Sequence, residues 1–406
     1  MKDYADCYYP QMALVNQNKI FKNHDNRLPG FHFVHDTAYH FDATKFGLWL
    51  RDHYCIPRGV KHIFDEIIDT KSDENGITEL LGEQETYTAD LYIDCTGFKS
   101  LLLEKTLEEP FESYAEMLPN NSAWATRIPY TNKQTELQSY TNCTAIENGW
   151  VWNIPLWSRI GTGYVYSDKY VNDEEALSQF KSYLIKNKNR TVDNIDEVEY
   201  RNIKMRIGIH ERLFVKNTCA IGLSAGFIEP LESNGLFTVH TFLLQLMKVL
   251  KRDRENISQW DRDTFNHAAK TTFRTFAEFV GMHYALSHRD DTHYWQEIKN
   301  KIFDPTLSIE NVKYINGFQQ LITDRMVKRE YWLSNGSSCI ATGFNYFPLD
   351  MTDILSREGN PEYDMKLTKE NILRLVSHLD HQKDQWAESV KNERSLYDYL
   401  KDMHEK

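Results

Sequence analysis

The chain has 406 residues, 41% of them hydrophobic and 13% aromatic, ample for a sizeable core spread over two or three lobes. Its formal charge of −12, with no basic run to offset it, argues against broad binding to nucleic acid or to an anionic membrane. Six cysteines with no C-x-x-C pair suit a reducing cytoplasm, no apolar run reaches the ~18 residues that span a bilayer, and the first residues do not read as a signal peptide.

In chain order, residues 1–37 read as irregular or strand-rich, broken by Pro10, Pro29 and Gly30. Asp42 is placed to cap a helix over 43–54, with Phe46, Trp49 and Leu50 on one side. A strand pattern covers 59–68, Asp73-Glu-Asn-Gly76 reads as a turn, and 88–94 reads as a further strand ending at Cys95-Thr-Gly97-Phe98. That order suits an α/β lobe.

Residues 100–215 are mostly strand-like, with a helix over 173–187, and read as a second sheet packed on the first. Within them Trp150 and Trp152 project to one face, because strand side chains alternate, and Pro155 ends the segment. Residues 219–223 return to the first lobe as a buried strand. Leu236, Val239, Leu243, Leu246 and Leu250 then recur at helical spacing. From 251 onward the pattern is mainly helical, and 366–400 reads as one long amphipathic stretch. Cys95, Cys219 and Cys339 lie in apolar runs and read as small buried hydrophobes. The expected division is a lobe over 1–250, with the second sheet inserted at about 100–215, and a helical lobe over 251–406.

The segment from Ile221 to Gly235 is a buried strand, a small-residue turn and a helix start. Free backbone N–H groups and the helix dipole make such a start a general anion site. Gly222 and Gly226 permit close approach to the backbone. Glu232 just before the helix reads either as a carboxylate complementing the dipole or as a functional group. His283, His288 and His293 are five apart, and His378 and His381 sit on a polar helix; no metal ligand set is read from them.

The spelling W-x-W-x-I-P over 150–155, together with Ala225-Gly-Phe-Ile-Glu-Pro-Leu-Glu-Ser-Asn-Gly235, resembles the signatures of the flavin-dependent halogenases, the tryptophan halogenase family. Ala38–Ala43, Asp94–Gly97, Tyr164–Ser167, Phe279–Tyr284 with Ser287–Thr292, Trp332 with Cys339, and Tyr397–Leu400 match in the same order. The resemblance implies an α+β or α/β fold: a sheet lobe like that of the FAD-dependent monooxygenases, a second sheet and a helical substrate lobe. It implies Glu232 as the catalytic carboxylate with Ser233 beside it, and Asn234 and Gly235 as halide ligands through their amides. Leu223 and Leu236 would line the flavin, Ile67 would meet its adenine end, and Trp332 would be a stacking surface for substrate. Trp150 and Trp152 would keep organic substrate off the flavin, the opposite of what a flavin hydroxylase needs. The implied cofactor is FAD, reduced by a separate flavin reductase. Halide is the co-substrate, oxidised to hypohalous acid that halogenates an electron-rich arene.

Two departures qualify this. No G-x-G-x-x-G occurs, and no lysine matches the family's catalytic lysine. A fragment, one piece of a split enzyme and a non-catalytic remnant are the competing explanations, the first preferred. An uncovered core face then predicts poor folding or association through that face, and negligible FAD binding. A homo-oligomer is compatible with this. Where tryptophan-specific relatives carry a tyrosine pair, an acid and an asparagine, this chain has Gln320 and Leu321, Val327 and Gly336. The expected substrate is therefore a phenol or indole rather than free tryptophan.

Overall fold

The structure, a computed structural model, describes residues 4–188, 195–252, 256–303, 339–340, 342–345 and 369–405. Trp332 and positions 320, 321, 327 and 336 lie outside the described residues.

Among the described residues the chain is an α+β protein of four small sheets and a set of helices, with one main core and smaller clusters under the β1-β2-β3 sheet, on the outer face of the five-stranded sheet and at the N-terminal helices. Helices α1 (Tyr4–Tyr8) and α2 (Gln11–Gln17) open the chain where irregular or strand structure was expected. The reason is tertiary: Ala13 and Leu14 are buried with Phe21 against Trp386 and Val390, some 370 residues away. Helix α3 (Ala43–Trp49) begins as expected, the Asp42 carboxyl accepting from the Lys45 amide at 3.1 Å, and continues as a wider turn over Leu50–Cys55. Phe46 and Trp49, however, are 46% and 53% exposed rather than buried.

Residues 59–66 do not join a strand. Gly59 closes a short helical turn at φ +88°, and pairing begins only where β1 (Ile67–Asp73) meets β2 (Gly76–Gly82). The Asp73–Gly76 turn is as expected. Of the segment expected as one strand over 88–94, only the last three residues pair, and a separate short strand ends just before it. Strand β3 (Thr86–Tyr87) pairs with β2, and β4 (Tyr92–Asp94) runs parallel to a much later strand. Cys95 lies just beyond the last paired residue and is exposed, not buried.

Strand β5 (Phe111–Ser113) precedes β6 (Ser122–Ile128), and the short α4 (Lys133–Glu136) separates β6 from β7 (Asn142–Ile146), β8 (Gly149–Pro155) and β9 (Ile160–Tyr166). Helix α5 (Asp173–Lys188) follows, then β10 (Arg201–Lys204). Together β10-β6-β9-β8-β7 make an antiparallel five-stranded sheet, the second sheet read from the sequence. Its two faces are separated by the strand alternation: Val151, Tyr164 and Tyr166 pack on Phe180 and Leu184 of α5, whereas Trp150 and Val165 enter the main core.

Strands β11 (Gly208–His210), β12 (Phe214–Val215), β13 (Thr218–Ala220) and β14 (Gly226–Phe227) then complete two three-stranded sheets, β14-β11-β5 and β12-β13-β4. Helices α6 (Asn234–Arg252), α7 (Gln259–Ala285) and α8 (His293–Phe303) follow. Phe242, Phe265, Phe273, Val280 and Trp295 from them fill the same core as Cys219 and Trp150. The last stretch is two helices, not one. Helix α9 (Lys369–Val390) stops, and Ser395 accepts from the Asp398 amide at 3.0 Å to cap α10 (Leu396–His404). Leu396 N–H bonding to the Asn18 carbonyl at 3.0 Å ties that break to the N-terminal helices. Among the described residues no helix is long and apolar enough to cross a membrane.

Candidate active site

Two adjacent strand ends build the site. Asp94 at the end of β4 accepts from the amides of Leu102 and Leu103 at 2.9 Å, and its carbonyl accepts from the Ile221 amide at 3.0 Å. The turn after β13 is fastened to it: Ser224 Oγ donates to the Asp94 carbonyl, and Ser100 Oγ donates to the Ser224 carbonyl at 2.9 Å. Gly222 holds φ +77°, a left-handed conformation that glycine adopts without strain.

From this turn the chain passes through β14 to Glu229, a 3-10 turn over Pro230–Glu232, and Ser233 at φ +53°. Helix α6 starts at the next residue. Its first four amides lack intrahelical acceptors, and no acidic residue occupies its first turn, so the end keeps its partial positive charge. Asn234 is buried, its side chain donating to the Glu229 carbonyl at 3.3 Å. Beside Gly235 the space is open: a Cβ there would meet nothing within 4 Å.

The Glu232 side chain is 33% exposed, with Oε1 2.7 Å from His283 Nε2. His283 Nδ1 lies 3.1 Å from the Phe279 carbonyl; a carbonyl only accepts, so Nδ1 carries a proton. Nε2 is close enough for an ion pair when the ring is protonated, but among the described residues it meets hydrogen-bond geometry with no group. The α7 backbone thus orients an imidazole at the predicted carboxylate. Sequence reading missed that role, although His283 stands in one of the matching segments.

These groups border a cavity of about 740 Å³, lined by Cys143, Trp150, Glu232, Ser233, His283, Tyr284, Arg289, Trp295 and Phe344 among others. Its rings are held at fixed angles. Trp295 donates to the Ile146 carbonyl at 2.8 Å, and the Arg289 guanidinium stands 5.1 Å above its ring. Arg289 also pairs with Asp291 at 2.6 Å.

Trp150 is buried and Trp152 half-buried; their ring centroids are 6.1 Å apart. Trp150 lines the cavity with Glu232, while the Trp152 ring lies over its cross-strand partner Gly163, in the place a Cβ would take. Behind this wall sits Glu229, fully buried. Its Oε2 accepts from Trp150 Nε1 at 2.8 Å, Tyr284 OH at 2.6 Å and Asn120 Nδ2 at 2.9 Å. Burial raises the Glu229 pKa above the ordinary carboxyl value, and those three donors only partly oppose it. Burial likewise pushes the Tyr284 and Tyr294 hydroxyls up. Glu229 was legible only as the first acid of the motif; its partners come from β8, α7 and the loop before β6.

Leu223 and Leu236, the residues read as flavin-lining, are 43% and 52% exposed on the two sides of this turn. Ile67 is half-buried at the start of β1.

The family described as Tryptophan halogenase matches residues 1–359. A 7-chloro-L-tryptophan 6-halogenase of Kutzneria sp. is 38% identical over 266 residues, 65% of this chain and 50% of that protein. A tryptophan 6-halogenase of Streptomyces toxytricini is 38% identical over 276 residues, 67% of this chain and 50% of its own length. The crystal structure of the latter superimposes with a TM-score of 0.79 at 30% identity, covering 98% of this chain and 76% of that one. The chain spans about half the length of the curated relatives it matches.

Proposed function

Because this chain belongs to the tryptophan halogenase family, we propose that it carries the halide-side and substrate-side machinery of a flavin-dependent halogenase. The observation that carries this reading is Glu232 in the lining of a cavity of about 740 Å³ with Trp150, Tyr284, Trp295 and Phe344, just before a helix whose first turn holds no acidic residue. Leu223 and Leu236 would hold FAD, with Ile67 toward its adenine end. Bound in reduced form and given oxygen, FAD would supply the two-electron oxidation of halide to hypohalous acid.

The chain's own residues account for the rest. The amides of Asn234 and Gly235 bind halide at the positive end of α6. Trp150, with Trp152 behind it, closes the cavity against organic substrate reaching the flavin side. Glu232, with Ser233 beside it, orients the oxidant toward the arene and takes the ring proton after halogen transfer, and His283 can receive that proton. Trp332 is proposed as a stacking surface for the arene. The substrate is an electron-rich phenol or indole other than free tryptophan, since the groups expected to grip an amino acid's charged ends are absent at 320, 321, 327 and 336. A flavin reductase is the proposed partner and the cytoplasm the proposed location.

The test supplies the chain with excess reduced FAD, oxygen, bromide and indole, and reads products by mass. Brominated indole supports the reading. Hydroxylated indole would make the protein a flavin monooxygenase instead.

A further inference from the structure

Glu229 has a role that the halogenation chemistry does not itself require. Its carboxyl is fully buried, and among the described residues every hydrogen bond falls on one oxygen: Oε2 takes Trp150, Tyr284 and Asn120, whereas Oε1 meets no hydrogen-bond partner. Asn120 is itself fixed, its Oδ1 accepting from Tyr294 at 2.9 Å. The backbone of Glu229 holds the other side, accepting from Asn234 at the start of α6. One residue thus joins the strand bearing Trp150, the helix bearing Tyr284 and the turn bearing Glu232.

We infer that Glu229 is a positioning residue that, as a neutral carboxylic acid, fixes the Trp150–Tyr284 wall of the cavity relative to Glu232. The groups facing it are Trp150 of β8, Tyr284 and the neighbouring His283 of α7, Tyr294 of α8 behind Asn120, and Glu232 three residues on. None of the groups that touch the carboxyl is a cation. An anion here would leave Oε1 without a protein donor in a desolvated site. A protonated Oε1 leaves only a hydroxyl without an acceptor, the lesser penalty. The direction of its pKa shift agrees. The purpose rests on the halide-binding reading above: of two carboxyls three residues apart, only Glu232 then places negative charge beside the halide, so the approaching anion is not repelled twice.

The test compares the full chain with Glu229→Gln and Glu229→Leu. Infrared difference spectra at pH 7, wild type minus Glu229→Gln, are expected to show the carbonyl stretch of a protonated, unsolvated carboxylic acid. Calorimetry with indole as probe is expected to give a Kd for Glu229→Gln within about threefold of wild type, because the amide oxygen still accepts all three donors. Glu229→Leu, which orphans them, is expected to weaken binding about tenfold or more. A difference spectrum containing only carboxylate stretches overturns the inference, and so does equal indole affinity in the Gln and Leu variants. If Glu229→Leu does not fold, the infrared spectrum of the Gln pair still decides. Neither readout uses halide or flavin, so failure here and failure of the halogenase reading are separable.

Discussion

The indole N–H of Trp150 donates to the Glu229 carboxyl at 2.8 Å, joining the five-stranded sheet to the turn that delivers Glu232. The tryptophan spacing and the acidic motif, 79 residues apart in the chain, are therefore two ends of one hydrogen-bonded unit.

Replacing Trp150 by Phe keeps a ring in the core and removes that donor. Glu229 then retains two of its three donors. A buried polar partner left short costs about 1–3 kcal/mol, so a lower urea midpoint with an unchanged slope is expected. An unchanged midpoint would show that the bond contributes nothing to the fold.

Gly163 lies across the ladder from Trp152, and a methyl group there would occupy the space of the indole ring. Gly163→Ala is expected to displace Trp152 and to destabilise the chain by about 1–3 kcal/mol, as overpacking does. The near-ultraviolet circular dichroism should change with it. Retained stability with an unaltered aromatic spectrum would mean that the ring is not seated on the glycine.

The titration of Glu229 has a definite sign. Its folded pKa is raised above the ordinary carboxyl value of 4.5. Such a group contributes stability that is fully present below pH ~4.5 and is lost as pH rises through the folded pKa. The wild-type minus Glu229→Gln difference in thermal midpoint should accordingly become less favourable to wild type above pH ~4.5. A difference that grows in favour of wild type over that range would contradict a neutral Glu229.

His283→Phe removes the imidazole that meets Glu232 at 2.7 Å and leaves the α7 packing apolar. Because the imidazole is the group placed to receive the proton from Glu232, brominated product should fall with little change in melting. Product formation equal to wild type would remove His283 from the site.

Much of the site could be read in the sequence because it is local. Asp42 caps its helix, the Leu236–Leu250 spacing is a helix from Asn234, and the turn around Glu232 is coded by Gly222, Pro230 and its neighbours. What escaped depends on distant partners. The helices at 4–17 are stabilised by Trp386 and Val390, only 92–94 of the segment at 88–94 pairs because its partner is the distant β13, and His283 acquires meaning only when α7 lies against the turn. None of these leaves a periodic trace in one sequence.

The most direct measurement compares wild type with Glu232→Gln in the presence of excess reduced FAD, oxygen, bromide and indole, with folding checked by circular dichroism. Proton acceptance by a positioned carboxylate contributes typically 10²–10⁴-fold, so the variant should retain its fold and lose brominated indole by about that factor. Brominated product formed at the wild-type rate by Glu232→Gln would contradict the assignment.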